Sequence, residues 1–205
     1  MIFFGRDNYK IISNPDFREL KRKYANTWKD DGIPQKQWPR VERQMQNISA
    51  VPEFRALVDC VQATKLKNPS ILEIGCSSGY LSEVLMKAGI KARYEGTDYS
   101  PSFIRFAKQK YPDIKFTIDN ATNLHYKNNS FDIVIANFML YHVENLNLAM
   151  QEISRVLKPG GLLVIETPDF ETAARRFVSG NIKTKFKVAR HIFGSQESEW
   201  AFHRD

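Results

Sequence analysis

The chain has 205 residues, 42% of them apolar and 26% charged. That composition excludes disordered and fibrous classes and leaves room for one domain with a sizeable core. No apolar run approaches membrane-spanning length and no signal-peptide pattern opens the sequence. Cys60 and Cys76 form neither a disulfide framework nor a metal-ligand cluster, so a cytoplasmic chain without a metal is expected. The net charge of +7 is unevenly spread: 13 Lys and Arg oppose 8 Asp and Glu in residues 1–67, 10 oppose 10 in 68–167, and 7 oppose 5 in 168–205. Solvated helix faces explain such an excess as readily as an anionic partner does, so charge alone does not identify a nucleic-acid surface.

Residues 1–67 read as a helical extension. Phe17, Leu20 and Tyr24 among charged residues predict a short amphipathic helix, capped by Asn14 or Asp16. Pro34 and Pro39 are expected to interrupt helix around Trp28 and Trp38. Helix resumes over Arg40–Ile48 and again between Pro52 and Lys67, with Phe54, Leu57, Val58 and Val61 on one face. The tryptophans serve either as a substrate cover or as packing against the rest of the fold; the apolar area of such a side chain favours packing.

Residues 70–74 make an apolar strand that runs into Gly75-Cys76-Ser77-Ser78-Gly79, and Tyr80, Leu81, Val84, Leu85 and Ala88 then recur at helical spacing. Glycines suit so sharp a turn because the backbone takes dihedrals that a Cβ resists, and because a ligand must come close. The turn lacks the G-x-G-x-x-G spacing of a dinucleotide fingerprint. It also fits G-x-S-x-G, which would make Ser77 a hydrolase nucleophile, with Asp132 or Asp169 and His191 as nominal partners. Such hydrolases place several strands before the nucleophile, whereas here the turn follows the first convincing strand. The third reading is a nucleoside-binding turn. Ala92–Thr97 is a second strand, less apolar and so nearer the sheet edge, and Asp98 ends it in the ligand crevice of an open α/β sheet. A carboxylate there can accept both hydroxyls of a ribose.

Ser100-Pro101 opens a helix with Phe103, Ile104 and Ala107 inward, Pro112 ends it, and Ile114–Ile118 forms a third strand. Phe131–Ala136 is a buried fourth strand, with Asp132 at its entry end in a structural role. A crossover helix runs to about Leu157, and Lys158-Pro159-Gly160-Gly161 turns the chain into a fifth strand, Leu162–Glu166. Residues 171–190 read as helical and basic.

Four ordered blocks, Glu73-Ile74-Gly75-Cys76-Ser77-Ser78-Gly79, Gly96-Thr97-Asp98-Tyr99-Ser100, Phe131-Asp132-Ile133-Val134 and Arg155-Val156-Leu157-Lys158-Pro159-Gly160-Gly161, resemble the class I S-adenosylmethionine-dependent methyltransferases. The small-molecule branch is the nearest match. The resemblance implies a Rossmann-like, mostly parallel open sheet flanked by helices, with residues 68–167 as the S-adenosylmethionine-binding core and 168–205 as a substrate-side insert or shortened tail. It implies cofactor contacts from Glu73, Gly75, Cys76, Gly79, Asp98, Tyr99, Asn120, Ala121 and Asn137. The family usually carries an acid before the alanine at the adenine; Asn120 stands there instead, with its carbonyl as the expected acceptor.

Methyl transfer asks mainly for alignment and exclusion of water. Where the acceptor is a hydroxyl a base helps, and His142 is the first candidate, with Tyr141, His191 and Asp169 behind it. The tail hints at a sugar or lipid-linked acceptor. The family's final antiparallel strand pair is missing from the sequence pattern, so the fifth strand is expected as an open edge unless the tail or a second copy of the chain covers it. That gap keeps a non-catalytic, nucleoside-binding or support role as an alternative. The basic flanks keep an RNA methyltransferase as another.

Overall fold

A computed structural model describes residues 31–166 and 187–191. Its centre is a six-stranded sheet in the order β3-β2-β1-β4-β5-β6. The strands are β1 (Ser70–Ile74), β2 (Arg93–Asp98), β3 (Lys115–Ile118), β4 (Phe131–Asn137), β5 (Leu157–Glu166) and β6 (Lys187–His191), and every pairing is parallel. The helices are α1 (Ile33–Met45), α2 (Pro52–Ala63), α3 (Tyr80–Lys87), α4 (Pro101–Lys110) and α5 (Leu146–Val156). The order reverses between β1 and β4, and ligands of open α/β sheets bind at the carboxyl ends beside such a reversal.

Alternating side chains of the central strands feed two cores, as parallel strands covered on both faces require. Ile71, Ile133, Ile135, Leu162 and Val164 pack against Met45 of α1, Phe54, Leu57, Cys60 and Val61 of α2, and Leu81, Val84 and Leu85 of α3. Leu72, Ile74, Val134, Ala136, Leu163 and Ile165 pack on the other face against Leu146, Ala149, Met150, Ile153 and Val156 of α5. A smaller cluster joins Cys76, Ile104, Ala107 and Phe116. Helix α2 thus shares one core with the sheet. Trp38 packs on Phe106 of α4 with ring centroids 5.3 Å apart, and Lys110 Nζ lies 4.4 Å from the Trp38 ring centre.

Two expectations need correction. Helix α1 runs through Pro39. Pro34 sits in its first turn, where a missing N–H costs nothing, and the loss at Pro39 is offset by burial of Pro34 and Met45 and by the Trp38 contact. Residues 187–191, expected at the end of a helix, instead form β6 along β5, with Glu166 in register with His191. The fifth strand is therefore covered by the chain's own tail, one of the covers expected for it. Residues 171–186, like Trp28, Asp169 and the amphipathic segment around Phe17, lie outside the described residues.

Asp132 holds the far end of the sheet together. It accepts the Ser70 N–H (2.8 Å) and hydroxyl (2.6 Å) and pairs with Lys158 Nζ (2.7 Å). Burial opposes its ionisation, yet the bonds from Lys158 and Ser70 outweigh burial and hold the carboxyl down to about 2. This is the structural role expected for it, and it leaves Asp132 unavailable as partner to a nucleophilic Ser77.

Candidate cofactor site

The turn after β1 is stitched to the end of β2. Gly75 and Cys76 both donate their N–H to the Thr97 carbonyl, at 2.7 and 2.9 Å, and the Gly79 N–H returns to the Cys76 carbonyl at 2.8 Å. Gly75 and Gly79 have left-handed φ of 73° and 76°, and Ser77 takes φ 52°, which carries the strain of an L residue there. The close approach that demands glycine comes from the protein itself. A Cβ on Gly75 would stand 2.5 Å from Met139 Cβ, and one on Gly79 would stand 2.6 Å from the Phe116 ring.

Asp98 completes the stitch from the other side. Its Oδ2 accepts the Ser77 N–H and its Oδ1 the Ser100 N–H, both at 2.9 Å. Burial pushes this carboxyl up, while the N–H groups of Ser100, Ser77 and Tyr99 work against the shift. These backbone donors take part of the carboxylate's capacity of about four acceptor positions, which leaves room for a ligand hydroxyl. Tyr99 and Ile118, at the carboxyl ends of the neighbouring strands β2 and β3, are each 56% exposed. Ile118 escaped the sequence reading because a strand-end isoleucine looks like any other core residue.

On the adenine side, Asn120 Oδ1 accepts both the N–H (3.0 Å) and the hydroxyl (2.9 Å) of Thr122. That asparagine builds the turn around the buried Ala121. Asp119 accepts the Asn120 N–H and both the N–H and the Nδ1 of His125. The whole loop is fastened to α5 by Arg155. All five of its N–H groups are used: on Glu152 twice, on the Tyr126 and Leu124 carbonyls, and on Asn128 Oδ1.

Beneath the turn, Glu73 is buried and receives the Tyr94 hydroxyl; burial pushes its carboxyl well above the usual range. Asn137, at the end of β4, donates from Nδ2 to the Tyr80 hydroxyl at 3.1 Å, and its Oδ1 is buried with no hydrogen-bond donor among the described residues. Met139, Tyr141 and His142 follow in the chain, the last two in a short 3-10 turn, Leu140–His142. His142 is half-buried, and burial lowers its pKa, which keeps the imidazole neutral near pH 7. Glu166 ends β5 directly across from Asn137. Sequence reading placed it only as a strand terminus, although a lone acid closing an apolar strand is the same signal that singled out Asp98.

The fold is a Rossmann-like α/β domain of the methyltransferase type. Residues 72–165, a little under half of the chain, match the Methyltransferase domain family, which supports the resemblance to the class I S-adenosylmethionine-dependent methyltransferases. It is 35% identical over 102 residues to the demethylmenaquinone methyltransferase of Chlorobaculum tepidum, covering 50% of this chain and 42% of that one. It is 33% identical over 147 residues to the demethylmenaquinone methyltransferase of Staphylococcus aureus, covering 65% and 59%. The chain thus spans only about half the length of the curated relatives it matches. A solved structure from Methanococcus maripaludis, assigned as an S-adenosyl-L-methionine-dependent methyltransferase, shares the fold: TM-score 0.51 and 16% identity over 86% of this chain and 73% of that one.

The family's cofactor is S-adenosylmethionine, and the residues present fit it. The crevice offers remaining acceptor capacity on Asp98 for a ribose hydroxyl, exposed apolar surface at Tyr99 and Ile118 for a flat base, and an amide oxygen on Asn137 with no donor among the described residues. Neither Glu73 nor Asp98 is paired with a lysine or arginine among the described residues; their partners are a tyrosine hydroxyl and backbone N–H groups. Carboxyls so placed favour a ligand that carries positive charge.

Proposed function

We propose that this protein transfers a methyl group from S-adenosylmethionine to a small-molecule acceptor. When bound, the cofactor supplies an activated methyl group on a positively charged sulfur. The chain's own residues bind, orient and exclude water. Asp98 takes the ribose hydroxyls, and Tyr99 with Ile118 flanks the base. The turn made by Gly75, Cys76 and Gly79 underlies the methionine portion, and Asn137 meets its amino group. The carbonyl of Asn120 is spent on Thr122, so recognition of the adenine edge falls to the backbone around Ala121. Glu73 acts through the turn it supports. The observation that carries the proposal is Asp98, held by the backbone at Ser77 and Ser100 at the mouth of a glycine turn with acceptor capacity to spare.

In this reading residues 68–167 are the cofactor-binding unit, 1–67 a helical extension and 168–205 the acceptor side. The acceptor is a small molecule rather than a nucleic acid. The names of the relatives make a hydroxylated quinone-type ring the first acceptor to test. Among the described residues no helix is long and apolar enough to cross a membrane, and a cytoplasmic site of action is part of the proposal. Two copies pairing edge to edge would meet through β6. His142, neutral near pH 7, takes the acceptor's hydroxyl proton, with Tyr141 beside it in the same turn. Replacing His142 by Ala is expected to lower turnover at least ~100-fold with little change in cofactor affinity. Transfer of labelled methyl to reduced quinone analogues measures this, and a variant that turns over at the wild-type rate removes His142 from the chemistry.

A further inference from the structure

Asn137 stands where the strand order reverses. Ile74 of β1 is in register with Ala136 of β4, so Asn137 lies one step further on, beside the Gly75 turn. Its amide is held from one side. Nδ2 donates to the Tyr80 hydroxyl at 3.1 Å, while Oδ1 is buried and receives no donor among the described residues. A buried amide oxygen in that state costs free energy that a ligand N–H would offset. Tyr80 is the first residue of α3, directly after the left-handed Gly79. Its ring packs on Phe54 of α2, with centroids 5.7 Å apart and planes inclined at 45°, and its hydroxyl meets the end of β4.

A tyrosine hydroxyl accepts as readily as it donates, so the direction of this bond decides which end of the amide a ligand meets. Were the hydroxyl to donate to Oδ1, the ligand would meet an amide N–H, suited to a carboxylate. With the hydroxyl accepting from Nδ2, the ligand meets a carbonyl oxygen, suited to an ammonium. We propose that Tyr80 is a positioning residue for the cofactor: by taking the amide N–H of Asn137 it presents Oδ1 to the ammonium group of the methionine portion. The proposal rests on the cofactor reading of the crevice and adds the residue that sets the polarity of its methionine end. Helix α2 takes part through Phe54, which holds the ring that in turn orients the amide.

Calorimetric titration of the whole chain with three ligands tests this, weak ones being measured by displacement. The ligands are S-adenosylhomocysteine, its analogue lacking the amino group, and methylthioadenosine, which lacks the amino-acid end altogether. Tyr80→Phe keeps the ring against Phe54 and removes only the hydroxyl. It should weaken S-adenosylhomocysteine about 3–10-fold, the worth of one hydrogen bond, and leave the other two ligands as they bind to wild type. In an Asn137→Ala background the same change should cost nothing further, because the hydroxyl acts only through the amide. Unchanged affinity for S-adenosylhomocysteine in Tyr80→Phe overturns the proposal. Equal loss for all three ligands does so too, since it marks a general disturbance of the crevice. A loss for the deamino analogue as large as for S-adenosylhomocysteine shows the amide serving the carboxylate, and additive losses in the double variant show Tyr80 acting by another route; either result overturns it. A folded wild-type chain that binds none of the three defeats the cofactor reading itself, which is a separate and recognisable result.

Discussion

Asp98 and Asp132 are both half-buried aspartates on the sheet, and their surroundings give them opposite characters. Asp98 meets only N–H dipoles and is pushed up by burial, whereas Asp132 meets the Lys158 ammonium and is held down to about 2. A carboxyl whose folded pKa is depressed stabilises the fold above its unfolded value, near 4, and loses that contribution as the pH falls towards 2. Asp132→Asn should therefore lower unfolding free energy by ~2 kcal/mol at pH 7, and the difference from wild type should shrink between pH 4 and pH 2. Urea denaturation at several pH values measures this. In the turn after β1, Gly79→Ala forces a Cβ to within 2.6 Å of the Phe116 ring and should cost ~2–3 kcal/mol. Ser77→Gly relieves a left-handed serine at φ 52° and should be neutral or stabilising by up to ~1 kcal/mol in the same assay. Asp98 was legible in the sequence because an acid ends a strand there. The engagement of Asn120 by Thr122 was not, because a side chain that can serve a ligand can equally close its own turn.

At the scale of elements, the glycine turn, its strand and its helix were readable from periodicity and turn chemistry, and β1 falls on Ser70–Ile74 as expected. Strand β6 was not, because a short segment with basic and apolar residues reads equally well as helix until a partner strand decides it. Helix α1 crosses Pro39 because tertiary packing of Trp38 on Phe106 overrides a local penalty. The loop between β3 and β4 has few apolar anchors of its own and depends on Arg155. Arg155→Ala leaves the Leu124 and Tyr126 carbonyls without that donor and takes from Glu152 its guanidinium partner, while the Leu124 N–H remains on it. It should destabilise the protein by ~2–3 kcal/mol and raise amide exchange in residues 119–128 more than elsewhere. Uniform exchange across the sheet would show that the loop does not rely on that arginine.

For the whole molecule, the two apolar faces of the sheet fix where the site is. Core residues fill the sheet up to its carboxyl ends, where Glu73, Asp98, Asn137 and Glu166 interrupt the apolar pattern. Helices α1 and α2 close one side of that polar layer, which is why an N-terminal segment without any sheet pattern nevertheless shares a core with β1, β4 and β5. The central claim is that the crevice above β1 and β2 holds S-adenosylmethionine through the Asp98 carboxylate, and calorimetric titration of wild type and Asp98→Ala tests it most directly. Saturable binding of one cofactor per chain, weakened by ~1–3 kcal/mol in the variant, is the expected result. Equal affinity in the two proteins, or no binding to a folded wild-type chain, would contradict it.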